Sequence, residues 1–401
     1  MFLVKLVPVM LVLSMLTLSP TGCKKAAPAD VVAVPKSALV SSDLIGQYSA
    51  DQLKSRYNGA SSVFRVLIRY GIKVYRVVYT TTNTDGRTIR ASGALIIPDT
   101  QSAVSLISQQ HGTITDDNAA PSYYKTSSES YSFGSVFSSQ GYIIAAPDYI
   151  GYGVSKDLPH PYEHRSSLAT ASLDMLRAAR EFLEANRITG AKANWDGRLF
   201  LAGYSEGGYA TMALQKKLEE DPDEFNLVAS SCGAGAYHKS AFMREIINTK
   251  TSSASSITRL YVWVLLTYDR IYGLNRPMTY YFKEPYAARI ATEGYRAEIS
   301  VSLNETLTDS FKKAINDGTD TAFLNAVADN DIHDWQPRKP TRLYHGDADV
   351  TVSYINSANA YTAMKARGAT NVALIPIRNA NHATGLPAYI LGTYGFFSEV
   401  Q

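Results

Sequence analysis

The segment RLFLAGYSEGG, residues 198–208, joins a short apolar run to a Gly-x-Ser-x-Gly motif centred on Ser205. The apolar run predicts a buried strand over residues 198–202, and residues 209–220 predict a helix. A strand, a sharp turn that carries a serine and then a helix is the arrangement that a nucleophile elbow requires. The serine backbone is strained in such a turn, and the two flanking glycines leave room where side chains would collide. We therefore predict that Ser205 is a nucleophile.

Short apolar runs alternate with helical patterns on both sides of this segment. One long helix is predicted over residues 167–186, whose apolar residues fall on a single helical face. Short apolar strands separated by helices are typical of a mostly parallel sheet with helices on both faces, which places the chain in the α/β class. The other predicted strands are residues 63–80, 92–98, 103–109, 142–147, 227–231, 342–345 and 372–377.

Residues 234–336 interrupt this alternation. They lack a clear buried strand and are rich in aromatic residues, and helices are predicted at 257–268, 287–295, 307–316 and 321–329. We interpret the segment as a helical cap or lid inserted into one core, which would consist of residues 43–233 and 337–401. A second, independent domain is the alternative.

A serine hydroxyl needs a general base, and the base needs an acid that orients it. Along the chain, an elbow serine is followed by the acid and then by the histidine. His382, in the polar loop NANHATG, follows the predicted strand 372–377 and is the candidate base. Asp349 follows the strand 342–345 and is the candidate acid. Asp347 is the alternative acid, although an aspartate at its position more often caps a turn.

The oxyanion of the reaction needs backbone N–H donors. The N–H of Glu206, at the start of the helix after the serine, is one candidate. The second donor should come from the loop after strand 103–109, where Gly112 and Thr113 both qualify. His111 in the same loop is interpreted as a structural residue, and so is His345, which closes the predicted strand 342–345.

The first 23 residues resemble a bacterial export signal. Lys5 precedes an apolar run over residues 6–18, and Cys23 ends a lipobox-like sequence, which predicts cleavage and lipid attachment at Cys23. Residues 24–42 are expected to form a tether. These features predict an exported lipoprotein, anchored in the membrane by its lipid on the periplasmic or cell-surface side. Pro20 departs from the leucine that is usual in a lipobox, so a plain signal peptide and an uncleaved anchor are the alternatives.

The remaining composition limits the possible partners. The formal net charge is +3, without a dense block of basic residues, which argues against nucleic acid as a partner. No Cys/His pattern has the spacing of a zinc site, and no cofactor or metal is implied.

Five motifs together resemble the secretory-lipase branch of the α/β hydrolases: QQHGT at 109–113, APDYIGYGVS at 146–155 with HPY at 160–162 just after it, LAGYSEGG at 201–208, YHGDADVTV at 344–352 and NANHATG at 379–385. The resemblance implies an α/β-hydrolase fold, a triad of Ser205, Asp349 and His382, a helical lid, and hydrolysis of carboxylic esters through an acyl-enzyme. It identifies no motif in the lid, so the acyl chain and the alcohol of the substrate stay open, as does the oligomeric state.

Three alternatives to a general esterase or lipase stay open on sequence alone. An acetyl or feruloyl esterase would act on ester groups carried by glycans. A serine peptidase can use the same fold and the same three residues. A non-catalytic binding protein at the cell surface could retain the fold without the reaction.

Overall fold

The computed structural model describes residues 37–188 and 194–400 of the 401-residue chain. The expected signal peptide, Cys23 and tether residues 24–36 lie outside the described residues. Residues 39–42, expected to end the tether, instead begin the first strand of the sheet. This strand is held at its start by Glu181, whose carboxylate accepts hydrogen bonds from the backbone N–H groups of Ala38 and Leu39 at 2.8 and 3.0 Å.

Nine strands form one mixed sheet in the order β1-β2-β3-β5-β4-β6-β7-β8-β9. Neighbours in β1-β2-β3-β5 run antiparallel, and those from β5 to β9 run parallel, which confirms the mostly parallel sheet expected from the sequence. The strands are β1 Leu39–Tyr48, β2 Ile72–Thr82, β3 Thr88–Pro98, β4 Val104–Gln110, β5 Ile143–Pro147, β6 Trp195–Tyr204, β7 Asn226–Gly233, β8 Thr341–Gly346 and β9 Val372–Ile377.

The α-helices surround this sheet and fill the segment between β7 and β8. They are α1 Ala50–Lys54, α2 Ser135–Ser139, α3 Arg165–Ile188, α4 Glu206–Glu220, α5 Lys239–Asn248, α6 Ser255–Ile271, α7 Met278–Tyr281, α8 Tyr286–Glu293, α9 Leu303–Thr306, α10 Asp309–Asn316, α11 Thr321–Asp329, α12 Ile355–Ala366 and α13 Leu386–Glu399. Within the described part of the chain, no helix combines the length and the apolar character needed to cross a membrane.

Successive side chains of β6 point to opposite faces of the sheet, and helices cover both faces. Leu199 and Leu201 point to the face covered by α3, whereas Phe200 and Ala202 point to the face covered by α13. All four side chains are fully buried. A strand buried on both faces is apolar throughout, as this stretch of the sequence is.

The segment between β7 and β8 contains α5 to α11 and builds a hydrophobic core of its own. Phe282, Phe311 and Phe323 lie at its centre and are almost fully buried. No strand of the sheet comes from this described segment, as the sequence analysis expects of a cap. We call the segment from α5 to α11 the cap.

The predicted strand over residues 63–80 is wrong in its first part. Residues Gly59–Leu67 form a 3₁₀ helix, and β2 begins only at Ile72. Phe64 and Leu67 pack against the core, whereas Val66 is 83% exposed. This spacing of three suits a 3₁₀ helix, in which residues i and i+3 share a face.

Other elements were not predicted. In α5 the apolar residues follow a helical period, with Phe242 and Met243 one turn before Ile246 and Ile247, so the signal was present. The last helix, α13, is apolar on most sides, so it carries no periodic pattern from which a helix could be distinguished from a strand.

We predict that the same substitution, glycine to alanine, has opposite effects on stability at two helical positions. A Cβ atom on Gly207 in α4 would lie 2.1 Å from the carbonyl oxygen of Gln110, whereas a Cβ on Gly395 in α13 would meet nothing within 4 Å. We expect Gly207→Ala to destabilise the fold by about 3 kcal/mol or more, because neither backbone segment can move freely. Gly395→Ala should be neutral or stabilising by up to about 1 kcal/mol. Thermal and urea unfolding of both variants measure the difference, and equal stability would contradict the close approach.

Candidate active site

Ser205 occupies the turn between β6 and α4. Its backbone has φ 61° and ψ −125°, a left-handed conformation that is strained for any residue other than glycine. The N–H of Ser205 donates to the carbonyl oxygen of Gly233 on β7 at 2.8 Å, which anchors the turn to the neighbouring strand. A Cβ atom on Gly203 would lie 2.3 Å from the carbonyl oxygen of Gly207. The two glycines of the motif are therefore required because the chain crosses itself here.

The three residues selected from the sequence lie in one hydrogen-bonded chain. The Nε2 atom of His382 is 2.8 Å from the Oγ atom of Ser205, and its Nδ1 atom is 2.6 Å from Oδ2 of Asp349. The side chain of Asp349 is fully buried, whereas that of His382 is 21% exposed. The base can therefore reach a substrate while its acid partner is kept from water.

The carboxylate of Asp349 is held from several directions. Its Oδ1 atom accepts the backbone N–H groups of Thr351 and Val352 at 2.8 and 3.0 Å. The Nε2 atom of His345 lies 3.4 Å from its other oxygen. Burial alone would raise the pKa of Asp349, but the hydrogen bonds from His345, His382 and the backbone outweigh it and hold the pKa well below its usual range.

His345 was interpreted as a structural residue that closes β8. Its Nε2 atom lies 2.8 Å from the carbonyl oxygen of Val352, and Nδ1 lies 2.7 Å from the hydroxyl of Ser357. The ring therefore connects the strand, the loop after it and α12, as well as bordering Asp349. The structural interpretation was incomplete, because a sequence does not reveal which side chain faces the acid.

Asp347, the alternative acid, lies on the rim of the site. It accepts the backbone N–H of Asn379 at 2.6 Å and lies 3.6 Å from the guanidinium group of Arg378. These contacts connect the loop after β8 to the loop after β9. Such contacts are those of an aspartate that stabilises a turn.

The structure distinguishes between the candidate oxyanion donors. Glu206 is the first residue of α4, so its N–H has no acceptor within the helix. The N–H of Gly112 donates to Oε1 of Glu129 at 2.9 Å. Gly112 therefore does not offer a free donor in this arrangement, which corrects one of the two alternatives and leaves Thr113 in that loop.

A buried pair next to the serine was not selected from the sequence. Glu206 is 1% exposed, and its Oε1 atom is 2.7 Å from Nε2 of His160. The Nδ1 atom of His160 lies 2.7 Å from the carbonyl oxygen of Ile150. The pair connects the helix after the serine to the loop after β5. Two signals for it were present in the sequence: the acidic residue inside the serine motif, and the HPY run at 160–162 that is part of the family resemblance.

A mainly apolar pocket begins at Ser205 and extends between the core and the cap. It holds about 550 Å³ of empty space, counting the solvent at its mouth. Helices α5 and α6 supply most of its apolar wall, and the loops before α3, after β7 and after β8 supply the rest. The apolar side chains that line it include Phe242, Met243, Ile246, Leu260, Val264 and Val352.

One buried ion pair interrupts this apolar wall. Lys239, at the start of α5, contacts the carboxylate of Glu163, which belongs to the loop before α3. The ammonium group of Lys239 also lies 3.8 Å from the ring centre of Tyr209. Burial raises the pKa of Glu163 and lowers the pKa of Lys239, so burial opposes both charges while their mutual attraction favours them. The pair connects the cap to the core.

One group of possible metal ligands lies away from the serine. Donor atoms of His238, Asp331 and His333 are all within 4.8 Å of one another. The two imidazole rings are stacked, however, with centroids 3.5 Å apart and planes 10° apart. The lone pairs of a histidine lie in the plane of its ring, so those of two stacked rings run side by side instead of converging on one ion. This arrangement does not fit a tetrahedral metal centre.

Comparisons with solved structures agree on the fold. The rice cell wall degrading esterase LipA from Xanthomonas oryzae superposes with a TM-score of 0.76 at 22% identity, over 91% of this chain and 99% of that one. A putative hydrolase from Legionella pneumophila gives 0.77 at 23% identity, over 90% and 98%. Candida antarctica lipase A in its closed state gives 0.62 at 15% identity, over 89% and 83%.

Comparisons of sequence identify the family. None of the curated protein sequences matches the chain. The model of the family described as secretory lipase matches residues 124–390, two thirds of the chain, and includes all three residues of the hydrogen-bonded chain. The predicted resemblance is confirmed: this chain belongs to the secretory lipase family, and it is an ester-hydrolysing serine hydrolase with the α/β-hydrolase fold.

Proposed function

We propose that Ser205, His382 and Asp349 carry out this ester hydrolysis as a catalytic triad. His382 removes the proton of the Ser205 hydroxyl as Oγ attacks the ester carbonyl, and Asp349 orients and stabilises the resulting imidazolium. The alcohol leaves with the proton that His382 returns, and a water molecule activated by His382 then releases the acid. The observation that carries the proposal is the unbroken contact from Asp349 through His382 to Ser205, at 2.6 and 2.8 Å.

The charge that develops on the carbonyl oxygen needs donors fixed before the reaction begins. The N–H of Glu206 is one, and the position of Glu206 at the N-terminus of α4 adds the positive end of the helix dipole. The N–H of Thr113 is the second. Removing one such donor costs roughly 3 kcal/mol in an enzyme of this kind.

The substrate class follows from the pocket beside the serine. Its wall is mainly apolar, so it suits an aliphatic or aryl acyl group and offers few hydrogen-bonding partners to a sugar. We therefore propose a carboxylic ester with an apolar acyl group as the substrate. Acetyl and feruloyl esters of glycans carry such acyl groups, so the proposal includes them.

We also propose that the protein is exported and held on a membrane by a lipid on Cys23. The family description as secretory agrees with export. The lipobox-like sequence before Cys23 supports the lipid. The residues after Cys23 would then separate the enzyme from the membrane surface.

Removal of the nucleophile and of the acid tests the triad. Ser205→Ala should abolish hydrolysis of p-nitrophenyl esters, and Asp349→Asn should lower kcat by about 10⁴, because the histidine would lose both its orientation and its compensating charge. Steady-state kinetics and an active-site titration measure both effects.

Asp347→Asn is the matched control. It removes a carboxylate two residues away that contacts Asn379 and Arg378 instead of the histidine, so kcat should stay within about threefold of the wild type. If the two asparagine variants lose the same activity, the assignment of Asp349 is wrong. If Ser205→Ala hydrolyses esters at the wild-type rate, the triad itself is rejected.

Narrowing the pocket should change acyl selectivity. Val264 on α6 lines the pocket, whereas Leu266, two residues along and equally half-buried, faces another cleft. Val264→Trp should lower kcat/KM for octanoate esters relative to acetate esters by at least about tenfold, and Leu266→Trp should leave the ratio unchanged. The ratio is measured with a series of p-nitrophenyl esters. An unchanged ratio in Val264→Trp would place the acyl group elsewhere.

If Cys23 carries a lipid, replacing Cys23 should change how the protein partitions between detergent and water. The wild-type protein produced in a bacterium should enter the detergent phase of Triton X-114 and incorporate an alkyne-labelled fatty acid. Cys23→Ser should do neither, since the serine hydroxyl is not a substrate for thioether formation. Equal labelling of both proteins would show that Cys23 carries no lipid.

A further inference from the structure

The oxyanion loop, residues 110–113, is held by a carboxyl group that the proposed mechanism does not use. Glu129 directly precedes the π-helical turn Ser130–Gly134, a rare conformation that is found most often at functional sites. Its Oε1 atom accepts the N–H of Gly112 at 2.9 Å. This is the donor that would otherwise be available to the substrate.

The carboxyl group of Glu129 also lies next to the serine turn. A Cβ atom built on Gly112 would be 3.1 Å from Oε1 of Glu129 and 3.7 Å from the Cβ atom of Ser205. A single position on the loop therefore touches both the carboxyl group and the nucleophile. A charge on Glu129 therefore lies within about 7 Å of the Cβ atom of Ser205.

No cation pairs with this carboxyl group at short range. Among the residues that the structure describes, Glu129 has no Lys, Arg or His nitrogen within 4.0 Å. The titratable groups around it are His111, Glu206, Tyr149 and Tyr389. Burial raises the pKa of Glu129, and Glu206 raises it further, which outweighs the opposite effects of His111 and the Gly112 N–H.

We propose that Glu129 positions the oxyanion loop and that only its neutral, protonated form supports hydrolysis. The proposal rests on the catalytic role of Ser205 described above. In both charge states Oε1 accepts the N–H of Gly112 and keeps the loop in place, with Thr113 beside the pocket. The two states differ in the field that they produce at the carbonyl oxygen.

That difference follows from the charge of the transition state. Attack by Ser205 places a negative charge on the carbonyl oxygen, and a nearby carboxylate repels that charge. A neutral carboxylic acid produces no such repulsion. Ionisation of Glu129 should therefore lower kcat/KM by at least about tenfold without preventing the substrate from binding.

The raised pKa of Glu129 determines the direction in which activity should change with pH. The folded protein keeps the proton on Glu129 to a higher pH than an exposed glutamic acid would. Activity should therefore fall as the pH rises through the pKa of Glu129. The profile of kcat/KM should have a descending side, and the ionisation of Glu129 should account for it.

Two substitutions distinguish the effect of the charge on Glu129 from the effect of its contact with Gly112. Glu129→Gln keeps an oxygen for the N–H of Gly112 and cannot ionise, so it should retain the maximal kcat/KM of the wild type and lose the descending side of the profile. Glu129→Ala loses the contact as well, so kcat should fall by about tenfold or more at every pH with a smaller change in KM. Thermal unfolding of each variant shows whether it is folded.

Asp174→Asn is the matched control. Asp174 is also a carboxyl group whose pKa is raised by burial, but it bonds to Thr81 and Arg177 between α3 and β2, away from Ser205. Its pH profile should be that of the wild type. The same loss of the descending side in Asp174→Asn would assign that limb to stability instead of Glu129.

The results that would overturn the role of Glu129 differ from those that would overturn the triad. It is overturned if wild-type kcat/KM shows no descending side before the protein unfolds, or if folded Glu129→Gln keeps that side unchanged. Because the wild-type profile is itself a test, misfolding of a variant does not leave the question open. Loss of activity in Ser205→Ala together with either result would leave the triad standing and reject only the role of Glu129.

Discussion

The crossing of β6 and α4 at Ser205 is the constraint on which the site depends. The serine must leave the strand at a positive φ, and the helix that follows must pass close to the neighbouring loop. Gly207 permits this approach because any side chain at this position would collide with the carbonyl oxygen of Gln110. The same crossing brings the loop that begins at Gln110 against Ser205. The geometry of the site and the packing of the backbone therefore have a single origin, and neither can be altered without the other.

The parts of the site that the sequence predicted are those fixed by the order of strands and loops. Ser205, Asp349 and His382 each follow a parallel strand, and the carboxyl ends of such strands meet at one edge of the sheet. A motif and a chain order therefore suffice to choose them. The structure places Asp349, and not Asp347, against His382, because an acid beside a turn and an acid beside a base occupy different positions in the loop.

The parts that the sequence did not reveal depend on contacts between distant segments. Glu129 and His160 reach the site from loops whose sequences carry no periodic pattern, and the Gly112 N–H loses its availability only because Glu129 lies opposite. Lys239 belongs to a helix that was itself missed. Such contacts are set by how the elements pack in three dimensions. A single sequence contains the residues but not their distances.

The ion pair between Lys239 and Glu163 restricts how the enzyme can admit a substrate. One partner belongs to the cap and the other to the core, and both are buried. Swinging the whole cap outward would pull two opposite charges apart before water could solvate them, at a cost of several kcal/mol. Entry by rotation of side chains at the mouth of the pocket leaves the pair intact. The pair therefore opposes any movement that separates α5 from the core.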